Sequence, residues 1–208
     1  MEAFIYGRRF RHALLLAIAA VLIIAAILAA TMGLYEVSIE EGPLETSQEV
    51  FLLIAAIAFG AAAFHERQAG RMAAFGACVL SVVFFLRELE LPVSGPVTAY
   101  LNSHAFRWHE GIVVAAIAIP YLAARWRYIP AYVDYLRKLH AWPYVLTAVL
   151  LLVGEFLDGR YSLAGIEHLP MFLEETAETV AYLTFAFAGC ATFLAAARIG
   201  RRRAADNT

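Results

Sequence analysis

An all-α bundle of six transmembrane helices is the fold this sequence predicts. Three observations carry that expectation: the apolar fraction, the gathering of apolar residues into six blocks, and the sorting of basic residues to alternate ends of those blocks. Of 208 residues, 62% are apolar and only 16% are charged, outside the usual range of water-soluble domains. The blocks run over 12–32, 48–64, 72–86, 111–124, 141–157 and 178–197. A spanning helix needs about 20 residues, a few of them interfacial, so each block is expected to cross the bilayer. A single domain, residues 1–208, contains all six.

The first block follows Arg8, Arg9 and Arg11. It resembles a signal peptide, but the run is longer than a typical h-region and lacks a small-x-small exit, so it reads as an uncleaved helix. Between blocks, the expected outer loops are 33–47, 89–107 and 158–172, and the inner ones 67–71 and 126–139. Pro92, Gly95 and Pro96 are expected to break the outer end of the third helix, Pro130 to interrupt the longer inner loop, and Pro120 to kink the fourth helix. Arg67, Arg71, Arg125, Arg127, Arg137, Lys138, Arg198, Arg201, Arg202 and Arg203 share a side with the N-terminal arginines, leaving Arg87, Arg107 and Arg160 for the other. The positive-inside rule makes the first side cytoplasmic, which gives a multi-pass protein of the plasma (inner) membrane with both termini inside. Its expected partner is the lipid bilayer, and not nucleic acid.

A parallel internal repeat is a further expectation. His12 precedes Leu44-Glu45 and Glu49 by nearly the spacing with which His140 precedes Leu173-Glu174 and Glu178. On that reading helices one and two correspond to helices five and six. Ala25/Ala29 and Ala26/Ala30 allow close helix approach, first within the chain and second in a homodimer. Cys78 and Cys190 sit deep in apolar blocks and read as small packing residues. Trp108, Trp126, Trp142 and most tyrosines read as the aromatic belt.

The acids sort to the outer side: Glu36, Glu40, Glu41, Glu45, Glu49, Glu88, Glu90, Glu110, Glu155, Asp158, Glu167, Glu174, Glu175 and Glu178 lie there, against Glu2, Glu66, Asp134 and Asp206 inside. Length turns this asymmetry into a site. Only 14 uncharged residues separate Glu110 from Arg125 and His140 from Glu155, and 15 separate Arg71 from Arg87 and Glu49 from His65. Such stretches cover roughly 21 to 23 Å, against about 30 Å of hydrocarbon. Arginines can snorkel on long stems; carboxylates are too short to do so. Glu49, Glu88, His109, Glu110 and Glu155 are therefore expected below the outer interface, where an unpaired charge costs several kcal/mol.

Helix ends offer a competing account for some of these acids. Glu45, Glu49, Glu110, Glu174, Glu175 and Glu178 lie near expected N-termini, and Thr46-x-x-Glu49 fits a capping box. Glu88, Glu90, Glu155 and Asp158 end helices at C-termini, where the dipole disfavours them. The i,i+4 pairs Glu45/Glu49 and Glu174/Glu178 and the i,i+3 pairs Glu155/Asp158 and Glu175/Glu178 each share a face and repel unless a cation or a shared proton intervenes.

These residues point to a divalent-metal site, with Glu49, Glu88, His109, Glu110, Glu155 and Glu178 as ligands and His104 or His168 nearby. Oxygen with some imidazole suits Zn, Mn or Fe better than Ca or Mg. Asp158 or Glu45 would activate water and Arg87 or Arg107 would hold an anionic group, as in a metal-dependent hydrolase or transferase acting on a lipid or lipid-linked headgroup. The alternatives are a cation transporter and an accessory subunit with an acidic outer face. Glu175-x-x-Glu178 resembles half of the Arg-Glu-x-x-Glu signature of iron permeases, but Glu174 holds the arginine position, and no family is assigned.

Overall fold

The computed structural model describes residues 2–39, 41–89 and 94–205, without the side chains of Arg203 and Ala204. Glu40, Glu90, Pro92 and Asp206, named above, lie outside the described residues. The elements in chain order are α1 (Arg8–Met32), α2 (Leu34–Ser38), α3 (Pro43–His65), α4 (Gln68–Glu88), α5 (Pro96–Leu101), α6 (His104–Ala123), α7 (Ile129–Arg137), α8 (Trp142–Leu157), β1 (Ser162–Leu163), β2 (Ile166–Glu167) and α9 (Leu169–Ala205).

Each of the six apolar blocks forms the body of one helix, α1, α3, α4, α6, α8 or α9, with Ala124 and Ala141 just outside α6 and α8. Four of these, α1, α3, α4 and α9, are long and apolar enough to cross a membrane, and α6 is a fifth if it is joined to its continuation Trp126–Arg137. With 16 residues, α8 covers about 24 Å, less than the hydrocarbon thickness. The chain is thus an all-helical protein with four to five membrane-spanning candidates.

Several boundaries differ from those expected, mostly because helices begin before their apolar blocks. Pro43 starts α3 as an N1 proline with Gly42 as N-cap, so the hydroxyl of Thr46 donates to Gly42 O and no Thr46–Glu49 capping box forms. Glu49 lies about two turns into α3, and Glu174, Glu175 and Glu178 lie beyond the first turn of α9, which starts at Leu169. The macrodipole acts within the first turn and therefore does not account for these four acids. The inner 126–139 loop is largely helical: Pro130 is the second residue of α7 and begins that helix, because its missing N–H is an unpaired position there anyway. Pro120 lies inside α6, and the chain bends by 70° a few residues further on, at the break between α6 and its continuation. The loops expected to be outer hold more structure than the sequence predicts: α2, α5 and the β1–β2 hairpin all lie in them. Gly33, at φ 98°, separates α1 from α2 with a backbone that other residues adopt only under strain.

The core is arranged around α9. Two-thirds of its apolar window, 67%, is buried, against 11% for α1, which fits a helix that is apolar on every face. Along its length α9 packs on α3 and on α8, and α4 covers the other side of α3. In the middle of the α3–α9 seam the rings of Phe59 and Phe185 meet with centroids 5.1 Å apart. A Cβ at Gly189 would stand 3.2 Å from Phe59 ring atoms, so the glycine admits the ring. At the basic end Tyr6 bonds the hydroxyls of Tyr144 at 2.6 Å and Thr192 at 3.0 Å, anchoring the segment before α1 to α8 and α9. Ala25 of α1 packs with Val37 and Leu44, whereas Ala26 and Ala30 face outward. Cys78 and Cys190 are free thiols.

Candidate functional site

The helices that meet at the acidic end of the bundle are α3 and α9, which start there, and α4 and α8, which finish there. Glu88, the last residue of α4, accepts a hydrogen bond from the hydroxyl of the buried Tyr182 at 2.9 Å. Glu88 also lies in electrostatic range of Arg87, Arg107 and Glu49. From α3, the side chain of Gln48 is fully buried, and its Nε2 donates to Glu175 Oε2 at 2.7 Å and to the Glu175 carbonyl at 3.2 Å. The carbonyl can only accept, which fixes which end of the amide faces α9. Oε1 of Gln48 is left buried with no hydrogen-bond partner among the described residues. A buried acceptor without a donor costs about 1 to 3 kcal/mol, so this atom marks a place where a donor or cation is wanted.

Glu178 completes the cluster. It lies in electrostatic range of Glu88, Glu174, Glu175 and Arg87. Its side chain rests against Gly154 of α8: a Cβ there would stand 3.1 Å from Glu178 Cγ and 3.2 Å from Oε1. The glycine thus lets α8 and α9 close over a carboxylate. Glu175 also interacts with Glu45, Glu88 and Glu174, and Glu174 with Glu155 and Asp158. Hence the site is a chain of mutually repelling carboxylates that runs from α4 across α9 to the end of α8, with Arg87 and Arg107 at one end.

The structure groups the sequence-derived site residues in three ways. Glu45, Glu49, Glu88, Glu178 and Arg87 share the central cluster. Glu155 and Asp158 reach it only through Glu174, and both are exposed. His109 and Glu110 stand apart on α6, where His109 Nδ1 shares a 2.8 Å hydrogen bond with Tyr100 and both residues line a cleft against α4. The proposed ligand neighbour His168 packs between Tyr35 and Tyr161, with ring centroids at 4.9 and 5.2 Å. Among the described residues no three His, Cys, Asp or Glu side chains are disposed to hold one metal ion.

Five participants were not among the candidate ligands and catalytic groups: Gln48, Glu174, Glu175, Gly154 and Tyr182. Glu175 was visible as half of the Glu175/Glu178 pair. Gln48 is an uncharged polar residue at the head of an apolar block, a weak signal, and Gly154 gives none without knowledge of what packs on it. Compared with protein-family models, curated proteins and solved structures, the chain matches none.

Proposed function

We propose that this chain crosses the membrane six times with both termini in the cytoplasm, and that its carboxylate pocket, in the outer half of the bilayer, binds a cation used on the headgroup of a membrane lipid or lipid-linked substrate. The observation that carries the reading is the unpaired, fully buried amide oxygen of Gln48 beside the half-buried carboxylates of Glu88, Glu175 and Glu178. Carboxylates gathered in a medium of low polarity repel one another by several kcal/mol unless positive charge is shared among them. Zn, Mn or Fe would supply that charge; because no three acids converge among the described residues, Glu88, Glu175 and Glu178 would have to draw together to hold it, with Glu49 and Glu45 behind them. Arg87 and Arg107, exposed at the rim, suit an anionic headgroup, and Asp158 or Glu45 is the base that would take a proton from water. A bound metal would polarise the scissile group of the substrate.

A transport role is less favoured by the same packing. Inward of Tyr182 the seam between α3 and α9 is filled by Phe59, Phe185, Ala55 and Ala186, with Gly189 pressed on the Phe59 ring. Bulky side chains thus occupy this seam between the acids and the basic end.

Metal analysis of protein purified without chelator tests the proposal. Close to one equivalent of Zn, Mn or Fe per chain is expected, with loss on Glu178→Gln. Metal-free protein that takes up none of the three on titration would end the metal reading. Cation flux in vesicles abolished by Glu178→Gln would move the function to transport.

A further inference from the structure

We propose that the cleft between α4 and α6 holds one acyl chain of an amine-bearing phospholipid, with the headgroup ammonium on Glu110 and its phosphate on Arg107. Two cavities of about 460 and 540 Å³ lie along this cleft and share Val79, Val83 and Val114, so they form one continuous groove. Its walls are apolar over most of their length. From Glu110 at the outer end to Tyr121 at the inner end the groove extends over about 17 Å of helix rise, close to the ~15 Å of one leaflet. The occupant it suits is therefore a single lipid tail entering from the outer leaflet.

The polar end selects the headgroup. Glu110 Oε1 is buried at the head of the groove and has no hydrogen-bond partner among the described residues. Three residues earlier on the same helix face stands Arg107, in electrostatic range of Glu88. An acceptor and a cation about one turn apart complement a zwitterion whose ammonium can donate hydrogen bonds. A choline headgroup carries the same charge and no N–H donor, so Glu110 discriminates against it. Hydrogen-bonded Tyr100 and His109 flank the entrance. Since Arg107, one turn outward of the groove's head, lies in electrostatic range of Glu88, a lipid seated here would bring its phosphate towards the edge of the carboxylate cluster. The inference thus names the lipid class for the function proposed above and rests on that reading for its catalytic meaning, though not for the binding itself.

Native mass spectrometry of the full chain, released from nanodiscs of mixed ethanolamine and choline phospholipids, reads the retained lipid. One ethanolamine lipid per chain is expected, preferred over choline by about tenfold, the equivalent of ~1.4 kcal/mol. Glu110→Gln should erase the preference; Val83→Trp and Val114→Trp, one on each wall, should expel the lipid. Ile23→Trp, on the exposed face of α1, should leave it in place. On the wild-type chain, an ethanolamine lipid with a photoreactive tail should label Val79, Val83 or Val114. Equal retention of both headgroups, labelling elsewhere, or a cleft shown by cross-linking to be closed by a second copy would each overturn the proposal. The Glu178→Gln protein separates the two ideas: loss of the cation with the lipid retained supports both, and a chain that never held a cation but keeps its lipid removes only the first.

Discussion

The hydroxyl of Tyr182 donates to Glu88 Oε1 at 2.9 Å, fastening the interior of α9 to the final residue of α4. Interhelical hydrogen bonds in bilayers average about 0.6 kcal/mol and reach about 1.7, and a carboxylate acceptor favours the upper end. Tyr182→Phe is accordingly expected to lower stability in an SDS unfolding titration by about 1 kcal/mol. Glu88→Gln keeps an acceptor oxygen for Tyr182 and should spare stability while weakening cation uptake, which isothermal titration reads directly.

Gln48 is the donor that α3 offers to Glu175. Gln48→Leu removes both the bond and the orphaned oxygen, but leaves the half-buried carboxylate without its amide. Breaking one partner of a buried polar pair costs about 1 to 3 kcal/mol. A loss in that range, together with reduced cation affinity, is the expected outcome of unfolding and titration experiments. An unchanged affinity would show that the amide oxygen is not part of the cation's surroundings.

Gly154→Ala puts a methyl group 3.1 Å from Glu178 Cγ. Glu178 is flexible enough to yield, so a modest stability loss of about 1 kcal/mol is expected. Because the yielding atom belongs to the site, cation affinity should fall further, by about tenfold. Parallel melting and titration curves for wild type and variant check the split.

At the opposite end, burial between Tyr144 and Thr192 pushes the Tyr6 hydroxyl up to about 12 from its ordinary 10. Below pH 10 the hydroxyl is neutral in the folded and unfolded chains alike, and its full contribution to stability is present. Between pH 10 and 12 the unfolded chain ionises first, so stability falls by about 2 to 3 kcal/mol across that window. Tyr135, raised chiefly by burial and also in electrostatic range of Tyr6, adds a background of its own. Tyr6→Phe should flatten the decline in unfolding free energy measured from pH 9 to 12.

The helical segments were legible because bilayer thickness writes itself into the chain: each apolar block became a helix core. Their ends were less so, since Pro43 and Leu169 begin helices in stretches too polar to count as membrane. That shift matters chemically, because it moves Glu49, Glu174 and Glu178 out of reach of a capping explanation. The length argument named Glu88 and Glu49 together, and the two lie in electrostatic range of one another; the depth it assigned them is not something the fold alone encodes. It could not tell which face of α6 meets the bundle, so His109 and Glu110 were grouped with acids from which the fold separates them. Gly154 and Gln48 matter only through what lies across from them, which single-chain periodicity does not encode.

That α9 is the common neighbour of α3 and α8 has a consequence for biosynthesis. The segment that organises the helices before it is made after all of them, so those earlier helices must wait in lipid with polar groups such as Gln48 lacking their final partners. A chain interrupted before residue 169 would present those groups to the bilayer and to quality-control proteases, and the arrival of α9 is the step that ends this exposure.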